Sequence, residues 1–554
     1  MITAGIGTIA ERALAIPPNA RLNFAEKGLL GLLVLGTIGL ALNFIMALGV
    51  WVPALAALSG LAGLVIFPGA IRVSLGKHPG KTTVLGIILT LGVALGAYVA
   101  PQHPDLGLYH FQTILWQHES PVPLGIANLE LKLGYNSLWL TIAAMLWLPF
   151  LELTSVFAVN ALIVALVLLA LAQRVFDEDH PAERGCSHLF ALACLIILVV
   201  TTFRGTGSPN TDYPPALLNI YAFFLATRLA EASGAGRNEH YLADLIMLVI
   251  VVTLAIASKL SQLPLALLPM LFIPALASET AARRRIIPAL VFSITVFSLW
   301  SLRSLALSGC VVFPQSQTCI SSLPWAAAID QVIGHARLIH GWGRQSPGVT
   351  SEALQSWAWV PGWLRYMYEY KIVWLPQLMC LAAMAAWAYA ALMRRARPGA
   401  LLLLPTARFM PLWAIALGGL VFWFSAGPDI RFGYGFLISA PMLLFAYGLY
   451  RAGWPRLTHS GSRTFVFMLA GILLLHAGYM NRNSGFAALT APWPELETVA
   501  TKGQLNHQGI VIYSPQEKNE CWWQRPCTIS FNPDVTITKL WIWPMFQGMH
   551  KKTP

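Results

Sequence analysis

Charge is what this sequence has least of. Asp, Glu, Lys and Arg together make up 11% of its 554 residues, against roughly 25% in a soluble domain. So few charges cannot cover the surface of a soluble protein this long, which excludes a soluble enzyme. A hydrophobic content of 56% excludes a disordered or fibrous chain. Short segments of alternating polarity are also lacking, which argues against a membrane β-barrel. There is no P-loop, no Gly-x-Gly-x-x-Gly after a strand, no His-Glu-x-x-His and no heptad, so an ATP-driven motor inside the chain is not expected. No internal repeat is evident. The seven cysteines include no Cys-x-x-Cys pair.

Long apolar runs take the place of charge. A helical span needs roughly 20 apolar residues. Runs near that length fall at 28–50, 53–71, 83–100, 136–151, 155–173, 188–203, 215–231, 241–258, 263–278, 286–306, 374–393, 408–426, 433–450 and 464–480. The net charge of +12 does not point to nucleic acid, because the basic residues are scattered at the ends of these runs. Clusters such as Arg283, Arg284 and Arg285, or Arg394, Arg395 and Arg397, mark cytoplasmic loops. Residues 1–27, with Pro17, Pro18, Arg12, Arg21 and Lys27, read as a polar cytoplasmic stub, and the first apolar run as a retained helix rather than a removed signal. Basic segments 72–81, 174–184, 228–237 and 451–463 also fall inside. Loops 101–135, 204–214 and 307–373 and the tail 481–554 then fall outside. An odd number of crossings must separate residue 136 from Arg174. Residues 136–151 are therefore expected to re-enter or lie at the interface, with 155–173 as the true span.

The expected fold is an all-α polytopic protein of the bacterial inner membrane. It has about thirteen transmembrane helices in a domain over 28–480, with the N-terminus cytoplasmic and the C-terminus periplasmic. The tail 481–554 carries β-type runs at 509–513 and 528–531 and reads as a small periplasmic α/β appendage. Cys310 with Cys319, and Cys521 with Cys527, are short-range pairs in outer segments, where disulfides persist. Free thiols or a metal site are the alternatives.

Polar residues concentrate in the outer loops. If 106–118 is a short helix, Tyr109, Gln112 and Trp116 share a face. Asp105 is then either its N-cap or a general base at the mouth of a membrane cavity. Asp212, in the second outer loop, is likewise a cap before a helix starting near Pro215 or a second acid on the same side. Two such acids can share a substrate hydroxyl or a divalent cation; no tight ligand motif selects the metal. Lys259, Arg303 and Arg431 sit at outer span ends, as snorkelling anchors or as phosphate ligands. Asp429 with Arg431 reads equally as an ion pair that fixes a turn. Asp244 lies near the cytoplasmic end of its span, where a solvated position explains it. The loop 307–373 is rich in aromatics, among them Trp325, Trp342, Trp357, Trp359 and Trp363. They form either an interfacial belt or a loop that stacks on sugars or covers a lipid.

One stretch is distinctive. Asp105-Leu106-Gly107-Leu108-Tyr109-His110-Phe111-Gln112 is followed by Pro121-Val122-Pro123-Leu124-Gly125-Ile126-Ala127-Asn128-Leu129 and by Gly134-Tyr135-Asn136-Ser137. It resembles a family of large bacterial polytopic membrane proteins whose pattern is roughly D-T-G-L-Y-H-x-Q, V-P-G-L-G-N-L-H and F-N-S-S. Ser208 to Asp212, Lys259-Leu260-Ser261, Arg303 with Leu307 to Cys310 and Phe313-Pro314, and Pro428 to Phe432 continue the resemblance in order, over about residues 100–435. Leu106 stands where Thr is usual, Glu130 where His is usual, and Cys310 where an aromatic is usual. The layout resembles the GT-C glycosyltransferases, with many spans, an acid in the first large outer loop and basic residues for a polyprenyl phosphate. The resemblance implies transfer of a sugar from a lipid-linked donor to an envelope glycan or lipid acceptor at the periplasmic face. Asp105 and Asp212 would be catalytic, and Lys259, Arg303, Arg431, Tyr109, His110, Gln112, Asn128, Asn136 and Asp429 would bind substrate. A polymerase or ligase of lipid-linked glycans, a lipid or glycan transporter and a non-catalytic assembly subunit remain as alternatives.

Overall fold

The computed structural model describes residues 1–14, 16, 22–99, 103–148, 150–177, 185–201, 205–232, 239–276, 280–344, 356–394, 406–452, 459–482 and 499–548. Helices dominate. Eight of those described are long and apolar enough to cross a membrane: Phe24–Asn43, Pro79–Val99, Val159–Phe176, Glu239–Ser258, Ala282–Ser308, Arg408–Ala426, Ile430–Ala452 and Gly461–Met480. Trp51–Ile66 with Pro68–Ser74 would make a ninth, bent by 84° at the break, where Pro68 begins a new helix. The chain is thus an all-α polytopic membrane protein with small sheets at one end.

Two further apolar runs form short or broken helices, and the first of them, 136–151, is the one expected not to span. The run 136–151 yields only Leu138–Met145. Eight residues rise about 12 Å, too little for a core of about 30 Å. All eight are buried among other helices, as a segment that does not cross must be. The run 263–278 becomes three consecutive pieces, Leu260–Ala266, Leu267–Phe272 and Ile273–Leu276, with Pro264 inside the first.

The N-terminal 27 residues are more than a polar stub. Ile2–Ala13 is a helix that packs on Phe24–Asn43 and Trp51–Ile66. Glycine permits the approach: a Cβ on Gly31 would lie 1.8 Å from the Thr3 carbonyl oxygen, the small-residue contact that lets membrane helices close up. The helix Phe24–Asn43 starts with a capping box. Asn23 accepts from the Glu26 N–H at 2.9 Å and Glu26 accepts from the Asn23 N–H at 2.8 Å.

Glu26 also anchors a buried ion network. Arg174 donates to Glu26 at 2.6 Å and pairs with Asp244 at 2.9 Å, and Arg228 meets Asp244 at 3.0 Å. Asp244 is therefore not solvated as expected. It is 5% exposed and held by two guanidinium groups, the arrangement a carboxylate at that depth requires.

The described tail, residues 499–548, is β rather than α/β. β1 (Thr501–Leu505) pairs antiparallel with β2 (Val511–Pro515), and β3 (Thr536–Leu540) with β4 (Trp543–Gln547). The run 528–531 forms no strand. The tail is clamped onto the segment 105–130. Phe546 donates its N–H to the Leu124 carbonyl at 2.8 Å, Cys521 donates to Gly107 at 2.9 Å, and Arg525 pairs with Glu119. Both expected disulfides are formed, Cys310–Cys319 and Cys521–Cys527.

Candidate functional site

Helix starts bring the acids together. Leu106–His110 winds as a π-turn and continues into the α-helix Phe111–Glu119. Asp105 occupies the N-cap position, but its carboxylate makes no capping hydrogen bond. It meets the Arg431 guanidinium at 3.4 Å instead. At the start of Tyr213–Ala232 the capping falls to Asn210, whose Oδ1 accepts from the N–H groups of Asp212 and Tyr213 at 3.2 and 3.0 Å. The Asp212 carboxylate is left to take His103 at 3.1 Å and the Lys259 ammonium. Lys259 follows the last residue of Glu239–Ser258 and sits 4.2 Å over the Phe432 ring. Asp429 accepts the Arg431 N–H at 2.9 Å and pairs with its guanidinium at 3.3 Å. The ion pair that fixes the turn is real, and it aims Arg431 at Asp105 and Asp212, the latter 3.7 Å away.

His103 joins these groups. Its Nδ1 accepts the Asp105 N–H at 3.1 Å. Burial, aided by Arg431 and Lys259 and opposed by Asp105, holds its pKa down to about 4. The ring is therefore neutral at physiological pH, with its proton on Nε2, donated to Asp212. His103, Asp105 and Asp212 offer three ligand atoms within 4.8 Å of one another. This set suits a divalent cation with water completing its shell, with Lys259 and Arg431 competing for the same carboxylates.

The cluster borders a cavity of about 350 Å³, whose lining includes Asp105, Asp212, Lys259 and Arg431. Trp342, Phe422, Trp423 and Phe432 supply apolar wall. The loop 307–373 contributes the helix Ile329–Arg344, which presents His335, His340 and Trp342 to the cavity. Trp363 is fixed elsewhere, donating to the Pro428 carbonyl at 2.7 Å. The two acids differ in exposure, at 24% for the Asp105 side chain and 6% for Asp212. Asp105 is the one an incoming group can reach.

Tyr109 and Asn136, both named from the sequence, also line the cavity. Burial and the Asp105 charge raise the Tyr109 pKa well above its ordinary value, so it stays a hydroxyl. Five named residues do not line it. Asp429 stands behind Arg431, paired with its guanidinium. Arg303 is 3% exposed and donates to Asn43 at 2.9 Å, tying two helices together. Gln112 gives its amide to the tail carbonyls of Trp522 and Gln524. Asn128 donates to the carbonyls of Gly125, Trp325 and Phe546 at 3.0–3.1 Å. His110 lies behind Tyr109, edge-on at 4.3 Å. Sequence reasoning gave no role to His103, Lys132, Tyr135, Ser258, Phe313 or His335. The first five lie in or beside the quoted motifs, Phe313 in the piece Phe313-Pro314; His335 sits in a long loop with no spacing signal.

A family described as a domain of unknown function, DUF8201, matches residues 1–438, and the chain belongs to it. The match contains every residue that lines the cavity and ends before the β tail. Comparison with curated proteins and with solved structures returns no match.

Proposed function

We propose that this member of the DUF8201 family is a GT-C-like glycosyltransferase of the bacterial inner membrane, with about thirteen crossings. In this reading it moves a sugar from a polyprenyl-phosphate donor to an envelope glycan or lipid at the periplasmic face. One observation carries the reading. Asp105 and Asp212, more than 100 residues apart, converge with Lys259 and Arg431 on the lining of a cavity whose remaining wall is largely apolar. A transporter would place its charges midway along its spans; these four sit at or beside helix ends.

The chemistry is a direct displacement. An acceptor hydroxyl gives its proton to the Asp105 carboxylate as its oxygen forms a bond to the anomeric carbon. The bond from that carbon to the phosphate oxygen breaks, and the phosphate leaves with the electron pair. It needs charge neutralisation more than a proton, and Arg431 and Lys259 supply it. Asp212 and His103 hold these groups in register. A bound divalent cation at His103, Asp105 and Asp212 would supply further charge neutralisation.

Photo-crosslinking tests where the carrier binds. A benzophenone analogue of farnesyl phosphate, added to the full-length protein in lipid nanodiscs, is expected to label Trp342, Trp423 or Phe432. Farnesyl phosphate should compete, and Arg431→Met should remove the label. Labelling confined to the outer surface of the helices would contradict the assignment.

A further inference from the structure

Next to the charged cluster the cavity has a neutral aromatic lining. Tyr135, Phe313 and His335 pack on one another and all line the cavity. The Tyr135 and Phe313 centroids are 5.8 Å apart, and Phe313 stacks on His335 at 5.9 Å with 28° between the planes. The Tyr135 hydroxyl and His335 Nε2 are 2.7 Å apart. Burial and the nearby Lys132 hold the His335 pKa down to about 4, so the ring is neutral. The Lys132 charge is met by Glu130 at 3.6 Å. This lining therefore carries no surplus charge for an anion.

Two polar groups of the same lining lack partners. Asn136 donates its amide to the Trp300 carbonyl at 2.6 Å, yet its buried Oδ1 accepts nothing among the described residues. Ser258 is 2% exposed, and its hydroxyl also has no partner there. Both line the cavity. Native proteins rarely leave such atoms unsatisfied, and a serine at the end of a helix ordinarily bonds its own backbone. Two unsatisfied groups beside a neutral aromatic wall call for a ligand that is uncharged, flat-faced and rich in hydroxyls.

We infer that the Tyr135–Phe313–His335 lining of the cavity is a pyranose-binding subsite. The C–H face of the sugar lies on the aromatic wall, and its hydroxyls meet Asn136 Oδ1 and Ser258 Oγ. The ring is thereby held toward Asp105 and the phosphate. A volume of about 350 Å³ is near the lower limit for ligand sites, about 300–1,000 Å³. It fits one sugar ring with a phosphate, leaving the prenyl tail or the rest of a glycan outside. The inference rests on the transferase reading for its role. The ring belongs either to the donor or to the acceptor, and binding separates the two.

The experiment uses the full-length protein in lipid nanodiscs and measures affinity by native mass spectrometry. The probes are farnesyl phosphate, its esters with glucose, galactose, mannose and N-acetylglucosamine, and the four methyl glycosides. If the ring is the donor's, at least one ester binds tenfold or more tightly than farnesyl phosphate. If it is the acceptor's, at least one methyl glycoside binds when farnesyl phosphate is present. In either case Phe313→Leu and Ser258→Ala weaken that sugar-dependent binding at least tenfold. Ser258→Ala should leave the melting temperature unchanged or higher, because its hydroxyl has no partner among the described residues; a purely structural serine would lower it. The subsite is overturned if farnesyl phosphate binds while no sugar adds affinity, or if both variants keep sugar affinity within twofold of wild type. A protein that binds a methyl glycoside in a Phe313-dependent way, but binds no farnesyl phosphate, keeps the subsite and loses the transferase reading.

Discussion

Two carboxylates of the same charge carry different work because their surroundings differ. Asp212 is nearly enclosed and held by Lys259 and His103, whereas Asp105 keeps a quarter of its side chain open to the cavity. Asp105→Asn should therefore abolish turnover, by about 10²–10⁴-fold for a lost general base, while the melting temperature stays close to wild type. Asp212→Asn should lower both, because it leaves the buried Lys259 without its counter-charge. Thermal unfolding alongside a transfer assay separates the two. His335 gives a pH signature. Its folded pKa is near 4 against an ordinary 6.5, so the unfolded chain takes up the proton first as pH falls. His335 should contribute a loss of about 3 kcal/mol between pH 6.5 and pH 4 that levels off below, on top of the loss from His103, whose pKa is also held near 4. Melting curves over that range should show a drop smaller by about that amount in His335→Gln than in wild type.

At the scale of elements, what holds the helices in place is mostly out of sight of the site. Arg174 links Glu26 and Asp244 across three helices. Arg174→Met would bury two carboxylates with weakened compensation, and a loss of about 3–5 kcal/mol is expected, read as a fall in melting temperature of the detergent-solubilised protein. The start of the helix after Asp105 and the charged ends of the spans were legible in the sequence, because caps, acids and basic flanks are local signals. Both acids could be found, but not which reading of each holds. That depended on Asn210 taking the cap beside Asp212 and on Arg431, more than 300 residues away, turning Asp105 aside. Arg303 shows the converse. It reads as a rim cation, yet its partner Asn43 lies 260 residues away in sequence and draws it into the bundle. Gln112 and Asn128 likewise belong to a tail more than 370 residues downstream. The broken helices at 51–74 and 260–276 were hidden because hydropathy counts apolar residues and does not see an 84° bend.

Over the whole molecule, the scarcity of charge becomes an argument about where charge is found. Away from the basic flanks of the spans and the Glu26 network, the chain gathers three acids, two bases and a neutral histidine in one cluster, of which Asp105, Asp212, Lys259 and Arg431 line the cavity. A neutral aromatic group lines the same cavity, and the β tail braces the segment that carries Asp105. The central claim is that sugar leaves a phosphate carrier at Asp105. It is tested most directly in cells lacking this protein and complemented with wild type or Asp105→Asn, by mass spectrometry of polyprenyl-phosphate sugars and of the envelope glycans. The account predicts that one polyprenyl-phosphate sugar accumulates and one envelope sugar is lost, that wild type reverses both changes, and that Asp105→Asn, inserted at wild-type levels, reverses neither. Full restoration by Asp105→Asn, or an unchanged pool of lipid-linked sugars in the deletion, would contradict it.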